Sequence, residues 1–174
     1  MPPGLRAPQL AAAHDAALSY DEYLATDPER AQRWVDLAPD VQPTPEQTRL
    51  VQGFTRRMPV LCVSGIWCGD CVRQGPVLQR IAEANPCIDL RFIDRDTLPE
   101  LTEHIRINDG TRVPVTLFMA EDFEPCARIG DRSLSRYRSM ARKALGPNSN
   151  VLAPPPEDPV QEVLQEMINE VERV

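Results

Sequence analysis

The sequence predicts an α/β fold in which a mixed sheet of about four strands is flanked by helices. Two features support this prediction: short apolar runs have the length of strands, and segments with helix start signals alternate with them. With 174 residues, the chain is long enough for a domain with its own core and terminal extensions. We therefore expect one domain.

The predicted strands lie at residues 59–65, 88–93, 115–119 and 126–130. The first and third runs are apolar on successive residues, which is typical of strands buried on both faces. The last two runs are separated by "AEDFEP", which predicts a hairpin turn. Because strands and helices alternate before this hairpin, the sheet is predicted to be mixed.

Proline-led start signals predict several of the helices. "TPEQ" at 44–47 has a threonine N-cap, a proline in the first turn and a glutamine that reaches back, and "TLPE" at 97–100 repeats this pattern. The predicted helices cover residues 15–25, 28–38, 45–57, 98–106 and 159–173, with one more after Cys71 and another from Ser133 to the Gly-Pro at 146–147.

The chain divides into three predicted regions. Residues 1–58 form a helical extension packed on the same domain, residues 59–146 form the core, and residues 147–174 form a proline-rich connector and an amphipathic helix. The apolar stripe of that helix, from Val160 to Val174, most simply packs on the body of the domain. A homodimer contact through this C-terminal helix is the alternative.

Composition excludes several classes of partner. The chain has 19 basic and 26 acidic residues, a net charge of −7, which argues against nucleic-acid binding. No apolar run approaches the roughly 18 residues of a membrane helix, and the N-terminus lacks the apolar segment of a secretory signal. Five cysteines are an odd number, which argues against a disulfide-stapled secreted scaffold. We therefore expect a cytoplasmic protein with no membrane contact.

The segment "WCGDC" at 67–71 holds two cysteines at close spacing, Cys68 and Cys71. A predicted strand runs into this pair and a helix begins at it. Cys68 would lie at the helix N-terminus, where free N–H groups and the positive end of the dipole stabilise a thiolate. Cys71 would lie in the first turn, close enough to attack a mixed disulfide formed by Cys68. The pattern predicts a nucleophile and a resolving thiol.

Two other interpretations of the cysteine pair are weaker. A zinc or iron–sulfur site needs about four ligands, but the other three cysteines and the two histidines are isolated in the sequence. A purely structural disulfide would close so short a loop that it would constrain the unfolded chain little. We expect no metal and no bound cofactor.

"WCGDC", preceded by "VLCVSG", resembles the active-site segment of the thioredoxin superfamily. Pro76 matches the proline that kinks the active-site helix of this family, and Val113-Pro114 in "RVPVT" matches its cis-proline segment. Gly130 matches the glycine that ends the next strand. The match covers roughly residues 59–145. With the extension containing "SYDEYLA", the chain looks like a bacterial group of thioredoxin-like proteins.

The resemblance implies a thioredoxin-like fold and a thiol–disulfide oxidoreductase. Its substrate would be a protein or small-molecule disulfide, and an external reductase or small thiol would return the pair to the dithiol. Trp67, Val113 and Pro114 would shape the substrate groove, with Val113 offering backbone hydrogen bonds. The alternative is a redox-responsive binding module with little catalytic turnover.

Two positions depart from the family pattern. Cys62 stands where thioredoxins have a buried aspartate that assists proton transfer at the second cysteine. Asp70 replaces the usual proline, so Gly69 and Asp70 are the candidates for tuning the thiol pKa. Since a negative neighbour disfavours a thiolate, we expect the pKa of Cys68 to exceed the ~7 typical of thioredoxin. Arg112 is expected near the edge of the active site, where it would offset the charge of Asp70 or select acidic partners.

The remaining residues of interest are expected to be structural. Trp34 is predicted to pack within the extension, and Cys62 to be a buried, inert strand residue. The two histidines, His14 and His104, are expected on helix surfaces.

Overall fold

The computed structural model of the chain describes residues 5–146 and 158–174. The connector predicted at 147–156 lies outside the described residues. The strands are β1 (Met58–Ser64), β2 (Ile88–Asp94), β3 (Val115–Met119) and β4 (Pro125–Gly130). These bounds confirm the predicted strands to within one residue at each end.

The four strands form one mixed sheet in the order β2-β1-β3-β4. β1 pairs in parallel with β2 and antiparallel with β3, and β3 pairs antiparallel with β4. Every residue of β1 and of β3 is buried. The two central strands are therefore covered on both faces, as their unbroken apolar sequences predict.

Eight α-helices surround this sheet in the part of the chain that the structure describes. They are α1 (Ala7–Asp15), α2 (Tyr20–Ala25), α3 (Pro28–Leu37), α4 (Pro45–Gln52), α5 (Gly69–Ala84), α6 (Pro99–His104), α7 (Leu134–Leu145) and α8 (Pro159–Val171). Thr44 caps α4 and Ser133 caps α7, each by accepting a hydrogen bond from a backbone N–H three residues on. Within the described ranges, no helix has both the length and the apolar character needed to cross a membrane.

The helix predicted at 15–25 has the wrong bounds, because the structure contains two helices, α1 and α2, with a break between them. In the break, the backbone of Leu18 pairs with Phe92 of β2 through hydrogen bonds of 2.8 and 2.7 Å. Ser19 then caps α2 by accepting from the backbone N–H of Glu22. The pairing of Leu18 and the cap at Ser19 therefore separate α1 from α2, where the sequence predicted a single helix.

The C-terminal helix packs on the domain, as predicted. Its buried residues are Val163, Leu164, Met167, Ile168 and Val171, and α8 contacts α5, α7 and β4. The apolar stripe therefore belongs to the core of this chain. A homodimer contact through the other faces of this helix stays a prediction.

An aromatic cluster joins the N-terminal extension to the sheet. Trp34 is fully buried, and its ring centroid lies 5.8 Å from that of Tyr23 and 6.0 Å from that of Phe92. Tyr23 also stacks on Phe92, which lies in β2. Such aromatic contacts contribute beyond the area they bury. The expected packing role of Trp34 is confirmed.

The expectation that His14 lies on a helix surface is wrong. Its side chain is buried, with Nε2 2.8 Å from the carbonyl oxygen of Asp89. The ring also meets Phe123 edge-on, with 5.6 Å between centroids. A buried imidazole needs a partner for its ring nitrogen, and here the backbone of β2 supplies it.

Candidate active site

The cysteine pair lies where β1 passes into α5. Cys68 is the N-cap of α5, in an extended conformation, and its backbone N–H donates to the carbonyl of Gly65 at 2.8 Å. The carbonyl of Cys68 accepts from the N–H of Val72 at 3.0 Å, which starts the helical ladder. Cys71 follows in the first turn. Both cysteines therefore lie where the strand passes into the helix, as predicted.

The two thiols lie in different environments. Cys68 is partly buried, whereas Cys71 is fully buried, and both are free. The Cys71 thiol donates a hydrogen bond to Cys68 and, together with the backbone N–H groups of Cys71 and Asp70, lowers the pKa of Cys68 to about 6. Near neutral pH, Cys68 is therefore mostly a thiolate, the form that attacks disulfides.

Cys71 has the opposite shift. Burial raises the pKa of its thiol well above the ordinary value, and the hydrogen bond that it gives to Cys68 adds to this effect. The Ser64 hydroxyl acts in the other direction and lowers the pKa of Cys71. The pair is therefore divided into one thiolate and one protonated thiol.

Three buried hydroxyls lie behind the pair: those of Ser64, Tyr23 and Thr116. None of them has an oxygen or nitrogen hydrogen-bond partner among the described residues, and Ser64 and Thr116 act on the neighbouring cysteine sulfurs. Thr116 of β3 is the register partner of Cys62 in β1, and Ser64, two residues on from Cys62, lies on the same face of β1. Burial raises the pKa of Cys62 to about 12, so this third thiol stays protonated.

Asp70 is held by three arginines. Arg73 Nη1, Arg132 Nε and Arg136 Nε lie 3.2, 3.3 and 3.6 Å from its carboxylate oxygens. The carboxylate still raises the pKa of Cys68, but less than the hydrogen bonds lower it. The prediction that Cys68 has a pKa above ~7 is therefore wrong. That prediction considered the charge of Asp70 and not the hydrogen bonds from the Cys71 thiol and from the backbone N–H groups of Cys71 and Asp70, which outweigh it.

Arg112 does not contact Asp70. Its guanidinium lies 3.3 Å from the carboxylate of Asp131, which also lies 3.0 Å from Arg132. The expectation that Arg112 offsets Asp70 is therefore wrong, because Asp131 is its partner.

The segment before β3 lies against the nucleophile. Cys68 Sγ lies 3.5 Å from the carbonyl oxygen of Val113, to which the thiol donates when it is protonated, and the Val113–Pro114 peptide bond is cis. Both side chains are buried. Gly130 of β4 lies behind this segment, and a Cβ there would be 2.5 Å from the carbonyl oxygen of Pro114. A glycine at 130 therefore allows β4 to approach Pro114.

Trp67 is the exposed aromatic residue beside the pair. Its side chain is 43% exposed, and the guanidinium of Arg95 lies over the ring, 4.9 Å from its centroid. The indole packs on Gly65, where an added Cβ would be 2.9 Å from the ring. Trp67 is therefore held in place although it faces solvent.

Sequence reasoning missed the role of Trp34 at this site. Its indole N–H donates to the carbonyl of Ile66 at 3.0 Å, within the turn that leads to the cysteines. The same ring lies on Gly75 of α5, where a Cβ would be 1.8 Å from Cζ3. A glycine inside a helical segment is a signal of close packing, and Gly75 was the available clue.

No cluster of three or more His, Cys, Asp or Glu side chains is placed to hold a metal ion within residues 5–146 and 158–174.

Comparison with known proteins agrees with this geometry. A family profile described as "Thioredoxin" matches residues 17–143. The chain belongs to the thioredoxin family. A Streptomyces coelicolor protein named "Putative thioredoxin 2" is 31% identical over 80 residues, which are 44% of this chain and 58% of that protein. The chain thus spans less than two thirds of the length of this thioredoxin relative.

Two solved structures share the fold over nearly the full length of the chain. One is a Pseudomonas aeruginosa protein of unknown function, with a TM-score of 0.66, 18% identity, and coverage of 97% of this chain and 98% of the other. The second is an HIV epitope scaffold, with a TM-score of 0.65, 17% identity, and coverage of 94% and 98%. At these identities the comparison shows the fold alone.

Proposed function

We propose that this member of the thioredoxin family is a thiol–disulfide oxidoreductase in which Cys68 is the nucleophile and Cys71 the resolving thiol. The observation that carries the proposal is that the two cysteines differ in burial and in protonation. Cys68 is partly accessible with a pKa lowered to about 6, and Cys71 beside it is buried and protonated.

Two exchange steps make up the reaction. The Cys68 thiolate attacks a substrate disulfide, forming a mixed disulfide and releasing the other substrate sulfur as a thiolate. Cys71 then passes its proton to the released substrate thiolate or to water and attacks the Cys68 sulfur, which forms the Cys68–Cys71 disulfide and releases the second substrate thiolate. The substrate disulfide gains two electrons and the pair loses two. An external reductase or small thiol returns two electrons and one proton to the pair, which restores the Cys68 thiolate and the Cys71 thiol.

The neighbours of the pair have defined roles in this proposal. Trp67 offers an exposed apolar face, and the Val113–Pro114 segment borders Cys68. Val113 would offer backbone hydrogen bonds to an extended substrate chain. Gly69 and Asp70 would tune the nucleophile, Asp70 by a charge that opposes the thiolate. The odd number of cysteines favours a reducing compartment, the cytoplasm, for this chemistry.

The test is turnover of a model disulfide, such as insulin, with a small dithiol as electron donor. Cys68→Ser is expected to abolish turnover, and Cys71→Ser to accumulate a mixed disulfide with the substrate, detected by mass spectrometry. Cys126→Ser, which removes an exposed thiol outside the pair, is the control and should keep full activity. Full activity of Cys68→Ser would end the proposal. Negligible wild-type turnover together with redox-dependent partner binding would favour a binding module.

A further inference from the structure

Arginines surround the nucleophile on several sides. Arg95 lies over Trp67, and Arg33 Nη2 lies 3.5 Å from the position of a Cβ at Gly69. Three more contact Asp70, and the sixth precedes Val113, whose carbonyl oxygen lies 3.5 Å from Cys68 Sγ. The six are Arg33, Arg73, Arg95, Arg112, Arg132 and Arg136. We call them the arginine rim.

The aspartates that pair with the rim lie beneath it. Asp70 and Asp131 are 18% and 4% exposed at the side chain. The arginine side chains that contact them are more exposed, from 26% for Arg132 to 51% for Arg73. Counting Asp96, which pairs with Arg95, and Asp94, which accepts from the backbone N–H of Asp96, four aspartates face six arginines. The outer layer of the rim is therefore positive.

This local excess of positive charge opposes the charge of the whole chain, which is −7. A patch of one sign close to a reactive group attracts partners of the opposite sign and raises their association rate. We infer that the substrate of this thiol pair carries an acidic polypeptide segment next to its disulfide. This inference rests on the proposed function and names the substrate class.

A polypeptide fits the rim better than a small disulfide does. The arginines come from α3, α5, α7, the turn after β2, the segment before β3 and the turn between β4 and α7, so they are spread over several elements around Cys68. A chain that lies along the Val113–Pro114 segment and past Trp67 would place successive carboxylates near several of them. A small molecule would reach fewer.

The test measures the first exchange step alone, with the Cys71→Ser variant. The probes are three matched peptides whose cysteine is joined by a disulfide to 2-thiopyridine, with glutamate, glutamine or lysine flanks. Release of 2-thiopyridone gives the rate. We expect the glutamate peptide to react on the order of tenfold faster than the lysine peptide at low salt. The ratio should approach one in about 1 M NaCl, where the Debye length is about 3 Å.

Substitutions of single arginines test which of them produce the preference for the glutamate peptide. Arg33→Gln and Arg112→Gln should each reduce the glutamate-to-lysine ratio about two- to threefold. Arg142→Gln removes the same charge from α7 at an exposed position that contacts neither Asp70 nor Asp131 among the described residues, and it should leave the ratio unchanged. Since the ratio is taken within one variant, a change in the thiolate fraction of Cys68 cancels.

The outcomes separate the two proposals. If Cys68 reacts with none of the peptides, the proposed function fails. If it reacts with all of them at equal rates, the function stands and the acidic preference is overturned. Dithiodipropionate, a small dianionic disulfide, is compared with the dication cystamine. If dithiodipropionate is preferred over cystamine by as large a rate ratio as the glutamate peptide is over the lysine peptide, the substrate would be a small carboxylate disulfide. That result would overturn the proposal of a polypeptide substrate.

Discussion

Trp34 in the extension donates its indole N–H to the carbonyl of Ile66, 32 residues further on and two before the nucleophile. Trp34→Phe keeps a ring but removes the donor, leaving a buried carbonyl without its partner. We expect a loss of about 1–3 kcal/mol in the free energy of unfolding, measured by urea denaturation and circular dichroism. Trp67→Phe, at an exposed tryptophan, is the control and should cost less than about 1 kcal/mol. Equal losses in both variants would contradict this role for Trp34.

Gly75 and Gly69 lie in the same helix but differ in surroundings. An added Cβ would be 1.8 Å from the Trp34 ring at Gly75, and 3.5 Å from the flexible end of Arg33 at Gly69. Gly75→Ala should therefore destabilise the protein by about 3 kcal/mol or more, because the ring and helix must separate. Gly69→Ala should change stability by less than about 1 kcal/mol. A neutral Gly75→Ala would show that the helix and the extension do not pack as described.

The reactivity of Cys68 should follow a pKa of about 6. Alkylation by iodoacetamide, monitored at Cys68 by mass spectrometry, should rise as pH increases through about 6 rather than through the ~8.5 of an ordinary thiol. Asp70→Asn removes a charge that opposes the thiolate, so the midpoint should move to lower pH. Alkylation at pH values below the midpoint should become about two- to threefold faster. Asp96→Asn, an exposed residue of the same type, is the control. An unchanged or raised midpoint in Asp70→Asn would contradict the assignment.

Ser64 lowers the pKa of the resolving thiol. Ser64→Ala should therefore slow the attack of Cys71 on the mixed disulfide, on the order of fivefold for one hydrogen bond of about 1 kcal/mol. Quenched-flow measurement of mixed-disulfide decay checks this, and the deficit should shrink as pH rises. Thr116→Val, which removes a neighbouring buried hydroxyl from β3, should leave the decay rate unchanged. The first exchange step should be unaffected in both, and a slower first step would point to general disturbance of the site.

The sequence was sufficient for the sheet and the cysteine pair because both depend on local signals. Unbroken apolar runs predicted β1 and β3, and the spacing of Cys68 and Cys71 predicted their place at a helix start. The contacts of Asp70 were not predictable in this way. Arg132 and Arg136 lie more than 60 residues away, and which of many arginines pairs with a given aspartate depends on how β4 and α7 pack.

His14 shows a second limit of local reasoning. It lies in an alanine-rich helix with a weak apolar stripe, so the sequence does not indicate which face is buried. Its partner is a backbone carbonyl of β2, 75 residues away. Leu18 likewise pairs with β2 rather than continuing a helix. These positions are decided by the way the extension packs on the sheet.

The pairing of Leu18 with Phe92 also bears on how copies of the chain avoid one another. β2 is an outermost strand of the sheet, and an outermost strand with free N–H and C=O groups is a template for aggregation. The backbone of Leu18 forms hydrogen bonds with both the N–H and the C=O of Phe92, so these two groups are not free to pair with another chain. The N-terminal extension thus covers part of the exposed edge of the sheet. A chain shortened to residues 59–146 would expose this edge of β2 to strand pairing with other copies of the chain.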